Sequence, residues 1–138
     1  MATNITALPA GTPRNAPTMP WRPPQRLLGF LAPGTIIPAN DTNGVVVACA
    51  GSGRIRIAAK VSAGGTLRAR WLLADHVTTV TVVAANPFDP GTALVANTEL
   101  VLDIASNPGH AYLEIAVVNA GAPSTVAYVD VFQTPYSN

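Results

Sequence analysis

The side chains that could do chemistry are few and widely separated. His76 follows Asp75 directly and His110 stands alone, so neither has a second histidine at metal-ligand spacing. Asp75-His76 could supply two members of a charge-relay triad, but no serine or cysteine stands in a nucleophile setting such as G-x-S-x-G. Cys49 is the single cysteine and sits in VVVACA, where a small buried filler is the expected role. DTNG at residues 41–44 and FDPG at 88–91 carry one acid each, against the ~6 to 8 oxygen ligands of a calcium site, and both read as turns. GSGR at 51–54 is too short for a phosphate loop and no helical pattern follows it. The sequence therefore nominates no catalytic, cofactor-binding or metal-ligating residue and points away from an enzyme. Two carboxylates converging at glycosidase spacing remain the route by which a small enzyme would arise.

What the sequence does concentrate is positive charge. Arg54, Arg56, Lys60, Arg68 and Arg70, five of eight basic residues, fall within GRIRIAAKVSAGGTLRARW at 53–71. Net charge is only +1, because residues 1–70 hold all eight bases with one acid, a net +7, and residues 71–138 hold six acids and no base. A polyanion binder shows an uncompensated basic excess. Two complementary halves instead suit each other, or neighbouring copies.

The elements that place these residues are strands. From residue 27 onward apolar residues recur with period two, interrupted every eight to twelve residues by N-G at 43, G-S-G at 51, G-G at 64, D-P-G at 89, N-P-G at 107 and A-G-A-P at 120. The pattern predicts strands near 27–31, 45–50, 53–62, 66–74, 76–84, 98–104, 110–118 and 125–133. No stretch carries a capped 3.6-residue stripe. Eight strands without intervening helices imply an all-β fold, an antiparallel β-sandwich of jelly-roll-like type, with a seven-stranded immunoglobulin-like sandwich as the alternative.

Parity orients the basic cluster. Ile55, Ile57, Ala59, Val61, Leu67, Ala69 and Trp71 are odd, and the five bases are even. The two strands read as one hairpin, in which the loop Ala63-Gly64-Gly65 keeps every charge on one side, whereas a two-residue turn buries arginines on the apolar face. That register sets Lys60 opposite Arg68, a repulsive pair. It calls for acids such as Glu99, Asp103, Glu114 and Asp130, from the same fold or an adjacent subunit. Nucleic-acid recognition on such a face needs interleaved aromatics, yet Trp71 points to the core and Ala58 and Thr66 share the basic side. Protein is the expected partner, not nucleic acid.

At 138 residues the chain has room for one cored domain. Eight of thirteen prolines lie in the first 38 residues, a density that forbids regular helix and removes sheet donors. Residues 1–25 therefore read as an extended N-terminal arm, and residues 26–138 as the sandwich. Met19, Trp21, Leu27, Leu28 and Phe30 are large apolar groups that a solvated tail does not need. No signal-peptide pattern opens the chain and no apolar run approaches a membrane span, so synthesis in the cytoplasm is expected.

The arm PWRPPQRLLGFLAPGTIIPAND, the VSAGGTLRARW segment and the terminal TVAYVDVFQ together resemble a virion structural protein of tailed bacteriophages, most closely a capsid decoration (cement) protein. The resemblance implies a place on the capsid surface and contact with the major capsid protein or with copies of itself, commonly as a homotrimer, without cofactor. The arm would clamp the shell, with Met19, Trp21, Arg22 and Arg26 as anchors and Arg54, Arg56, Lys60, Arg68 and Arg70 as a further contact face. A tail or fibre component with a carbohydrate-binding sandwich is the alternative, using Phe88, Tyr112 and Tyr136, and a small enzyme is third.

Overall fold

The computed structural model describes residues 3–7, 24–49, 52–72, 88–104 and 111–135. Ten strands follow in chain order: β1 (Thr3–Ala7), β2 (Gln25–Arg26), β3 (Ile36–Ile37), β4 (Asp41–Ala48), β5 (Ser52–Val61), β6 (Gly65–Leu72), β7 (Phe88–Leu94), β8 (Leu100–Ile104), β9 (Tyr112–Asn119) and β10 (Ser124–Pro135). They build two sheets, β1-β4-β9-β6-β7 and β2-β10-β5-β8, with β3 paired to one end of β10. The fold is an all-β sandwich. Among the described residues every pairing is antiparallel except β1 with β4, which is parallel.

Period-two patterning fills the space between the sheets. The first contributes Val45, Val47, Leu67, Ala69, Trp71, Leu113, Ile115 and Val117; the second contributes Ile55, Ile57, Ala59, Val61, Val129 and Val131. Trp71, 1% exposed, is the largest side chain in this core and faces Leu113 in register. The first sheet is also buried at outward positions along its middle, at Val46, Leu72, Glu114 and Ala116.

Parity holds for the 53–71 segment, but its strands do not form a hairpin. β5 pairs with β10 and β8, whereas β6 pairs with β9 and β7, so the chain crosses from one sheet to the other at residues 62–64. Alternation is the reason both arrangements satisfy the same pattern: a strand hides its odd side chains equally well whichever sheet it joins. Lys60 and Arg68 are consequently not cross-strand neighbours. The crossing is closed by serines, with Ala63 N–H donating to Ser124 Oγ at 3.1 Å and Thr125 N–H to Ser62 Oγ at 2.8 Å. Strand alternation between sheets is the winding that a jelly roll uses.

Three further expectations are corrected. Residues 27–31 are not a strand: Gly29 has φ 63° and a 3-10 turn spans Gly29–Leu31, leaving only β2 extended. The N-G at 43 does not break the chain but lies inside β4, and the turn falls earlier, at Asn40 with φ 60°. FDPG lies inside β7, where Asp89, Pro90 and Gly91 stand opposite the single Arg68 as a bulge. Gly91, at φ 127°, fits there because a Cβ would approach the Leu67 carbonyl oxygen to 2.6 Å. At the start of the arm, Thr3–Ala7 forms an edge strand of the first sheet. TNITA precedes the first proline, Pro9, and its β-branched residues can join a ladder. The strand expected at 76–84 lies outside the described residues.

Candidate functional site: the outer face of the β2-β10-β5-β8 sheet

Even-numbered residues of β5, even-numbered residues of β10 from Tyr128 onward, beyond the register shift after Val126, and odd-numbered residues of β8 share the outward face of the second sheet. Register sets Arg54 beside Thr134, Arg56 between Phe132 and Asp103, Ala58 between Asp130 and Val101, and Lys60 beside Tyr128. β2 adds Arg26 beside Asp130. The structure thus brings Arg54, Arg56, Lys60 and Arg26 onto one surface, and gives it two aromatics, Tyr128 and Phe132, from β10. Those aromatics were hidden from sequence reasoning because they reach the basic strand from about seventy residues away.

Charge on this face is paired within the chain. Arg54 grips Asp103 with two prongs, Nε to Oδ1 at 3.0 Å and Nη2 to Oδ2 at 2.5 Å, and Arg56 Nη2 approaches the same Oδ2 at 3.5 Å. The Arg54 hydrogen bonds hold the Asp103 carboxyl below its ordinary range, and the same contact raises Arg54. Arg26 forks onto Asp130 at 2.9 and 3.1 Å, which raises its pKa, and its guanidinium lies 5.3 Å from the centre of the Tyr128 ring. Tyr128 donates its hydroxyl to Glu99, a contact that pushes the phenol upward. Among the described residues Lys60 makes no ion pair.

The other two bases of the cluster lie on the opposite side of the molecule. Arg68 Nη2 and Arg70 Nε both donate to Glu114 Oε1, at 2.6 and 3.0 Å, from the strand flanking it. This trio is more enclosed, with side-chain exposures of 14%, 26% and 7% for Arg68, Arg70 and Glu114. One carboxylate holds two guanidinium groups, so the group carries one excess positive charge. The buried Arg68 Nε has no hydrogen-bond acceptor among the described residues. The basic cluster is therefore two groups facing away from each other, each meeting acids from the second half of the sequence.

Of the remaining candidates, Met19, Trp21, Arg22, Asp75, His76, His110 and Tyr136 lie outside the described residues. Tyr112 sits beside Leu72 at the end of β9, on the first sheet. Phe88 begins β7, opposite Ala69. Cys49 is fully buried, and its thiol donates weakly to the Val47 carbonyl at 3.7 Å. The depression between residues 63–66 and 118–122 has no titratable side chain in its lining. Among the described residues no group of three or more His, Cys, Asp or Glu is placed to hold a metal ion, and no helix is long and apolar enough to cross a membrane. Compared with known protein families and with curated proteins, the sequence matches none.

A second surface adjoins the first, on the segment joining β2 to β3. Leu27, Leu31 and Ile37 are fully buried there, while Leu28 and Ile36 are each 61% exposed and Phe30 is 40% exposed. The inward residues and the backbone fix the segment. Leu27 N–H donates to the Val129 carbonyl at 2.8 Å, and Gly34 N–H and the Thr35 carbonyl both engage Val126 at 2.8 Å. Asn119, 2% exposed, donates to the carbonyls of Ile37, Pro38 and Ala122 and accepts from Gly121 N–H, so one side chain ties this segment to the β9–β10 turn.

Proposed function

We propose that the protein is a structural component of a virion, a capsid decoration protein that binds the outer shell and works by protein–protein contact. The observation that supports this reading is the apolar segment at the root of the arm. Exposed Leu28, Phe30 and Ile36 alternate with buried Leu27, Leu31 and Ile37 on backbone already fixed to β10. Several large apolar groups exposed on one short segment suit an interaction site. Because their backbone is held in place beforehand, docking costs little ordering entropy. Arm anchors Met19, Trp21 and Arg22 would extend the contact along the chain, and Arg26 would join it from β2.

In this reading the paired charges of the second sheet form a polar rim. Arg54, Arg56 and Lys60 would set orientation on the shell or against a neighbouring copy in a trimer, and would contribute little raw affinity. The enclosed Arg68 and Arg70 would serve the fold more than the contact. The resemblance to phage decoration proteins supplies the virion, and the apolar segment supplies the mode of binding.

The test is co-sedimentation with capsids of the virus that encodes the chain. Joint Leu28→Ser and Ile36→Ser substitution is expected to weaken occupancy at least about tenfold, which corresponds to ~1.4 kcal/mol, while the melting temperature stays close to that of the parent. Occupancy that does not change overturns the proposal.

A further inference from the structure

Strand β1 occupies a slot that β4 is shaped to receive. Register pairs Ile5 with Gly44. A Cβ at Gly44 would stand 2.6 Å from Ile5 Cδ1 and 3.0 Å from both Ala116 Cβ and the Ile115 carbonyl oxygen, so a side chain there would push the tip of the isoleucine aside and crowd β9. One step away Asn4 Nδ2 donates to Asn43 Oδ1 at 3.1 Å, and Asn43 Nδ2 donates to the Phe30 carbonyl at 3.0 Å. Asn43 is 2% exposed. Removing β1 would strip the acceptor Oδ1 of this donor and open the edge Thr42–Val46, whose apolar part is Gly44-Val45-Val46, a template for unwanted strand pairing.

The connection between β1 and the next described residue, Pro24, has a distinctive sequence. Residues 8–23 include Pro9, Pro13, Pro17, Pro20 and Pro23. A proline-rich tether favours extended conformations and so lengthens its reach. At ~3.1 Å per residue these sixteen positions can reach roughly 50 Å, well beyond a radius of gyration of ~14 Å for a domain of this size. The contacts between strand and slot are the same whichever copy donates the strand. Tether mechanics and the local concentration of copies therefore decide between the two arrangements.

We propose that Thr3–Ala7 is a donated strand: when copies are held close together, each fills the β4 edge of a neighbour through the Ile5–Gly44 and Asn4–Asn43 contacts. The partner is a second copy of this chain. No virion is needed for the exchange, so it can fail independently of shell binding.

Two single variants, Asn4→Cys and Asn43→Cys, each with Cys49→Ser, are mixed and oxidised. A disulfide-linked dimer containing one of each variant is expected, and its yield should rise with concentration. A single chain carrying both cysteines is the geometric control. Closure of that control within one chain, with no mixed dimer at any concentration, overturns the proposal. Native mass spectrometry of the unaltered chain addresses the same point without new cysteines. Oligomers that disappear in Gly44→Leu support exchange, and a chain that is monomeric at every concentration rules it out.

Discussion

Arg54 reaches diagonally across the β5–β8 ladder to Asp103, whose register partner is Arg56. The fork leaves Arg56 as the looser of two cations on one carboxylate, its Nη2 at 3.5 Å. Diagonal pairing spreads three charges over a half-exposed surface and avoids leaving two arginines facing one another unopposed.

Asp103→Asn is expected to cost at most about 1 kcal/mol at neutral pH, the upper end for exposed pairs. The folded-state pKa of Asp103 is lowered, so its contribution is present above the unfolded carboxylate value of ~3.9 and is lost as pH falls through the lower folded value. Urea denaturation of parent and variant at neutral and acid pH should show the gap closing in acid. High salt should narrow it as well.

Glu114→Gln should be far more damaging, because it leaves Arg68 and Arg70 without their shared counter-charge in an enclosed site. The expected loss is about 3 kcal/mol by chemical denaturation. Replacing Arg68 and Glu114 together by methionine should recover most of it, since Arg70 is the most exposed of the three and can reach solvent.

Gly44→Ala is expected to destabilise by about 1–3 kcal/mol through overpacking against Ile5, Ala116 and the Ile115 carbonyl. Hydrogen exchange should show lost protection at residues 3–7 before any loss in β5. Adding Ile5→Ala should relieve part of the cost.

Tyr128 should titrate above its ordinary value of ~10 in an ultraviolet absorbance titration, because its neutral hydroxyl donates to Glu99. The raised folded pKa means that this contribution is present below the unfolded value and is lost as pH rises through the folded one. Glu99→Ala should bring the midpoint back toward the unfolded value.

Much of the architecture was legible in the sequence, and the shortfalls have physical causes. The alternation of Ile55, Ile57, Ala59 and Val61 with Arg54, Arg56 and Lys60 revealed which side chains face inward, because burial acts residue by residue. It could not reveal the partner strand, since β10 and a β6 hairpin present equally suitable apolar faces. Gly44 and Gly91 read as turns because glycine is cheapest there, but each serves a close approach: Ile5 against one, the Leu67 carbonyl against the other. The acids that meet the basic cluster were named, but their division between two sheets follows from topology alone. The Thr3–Ala7 strand was obscured by the prolines that follow it.

The crossing at residues 62–64 also bears on how the chain folds. Apart from β6 with β7, no two described strands adjacent in the chain order share a ladder. Val45 must find Ile115, and Ile57 must find Leu102 and Val131. Each pairing closes a long loop before any contact rewards it, so assembly belongs to the slow, high-contact-order regime of milliseconds to seconds. Emergence from the ribosome would leave β4, β5 and β6 waiting for β9 and β10, which are synthesised after them, with their apolar faces open in the meantime. Few charges stand along that waiting stretch besides Arg54, Arg56, Lys60, Arg68 and Arg70, and their mutual repulsion would keep nascent chains apart until the acids arrive.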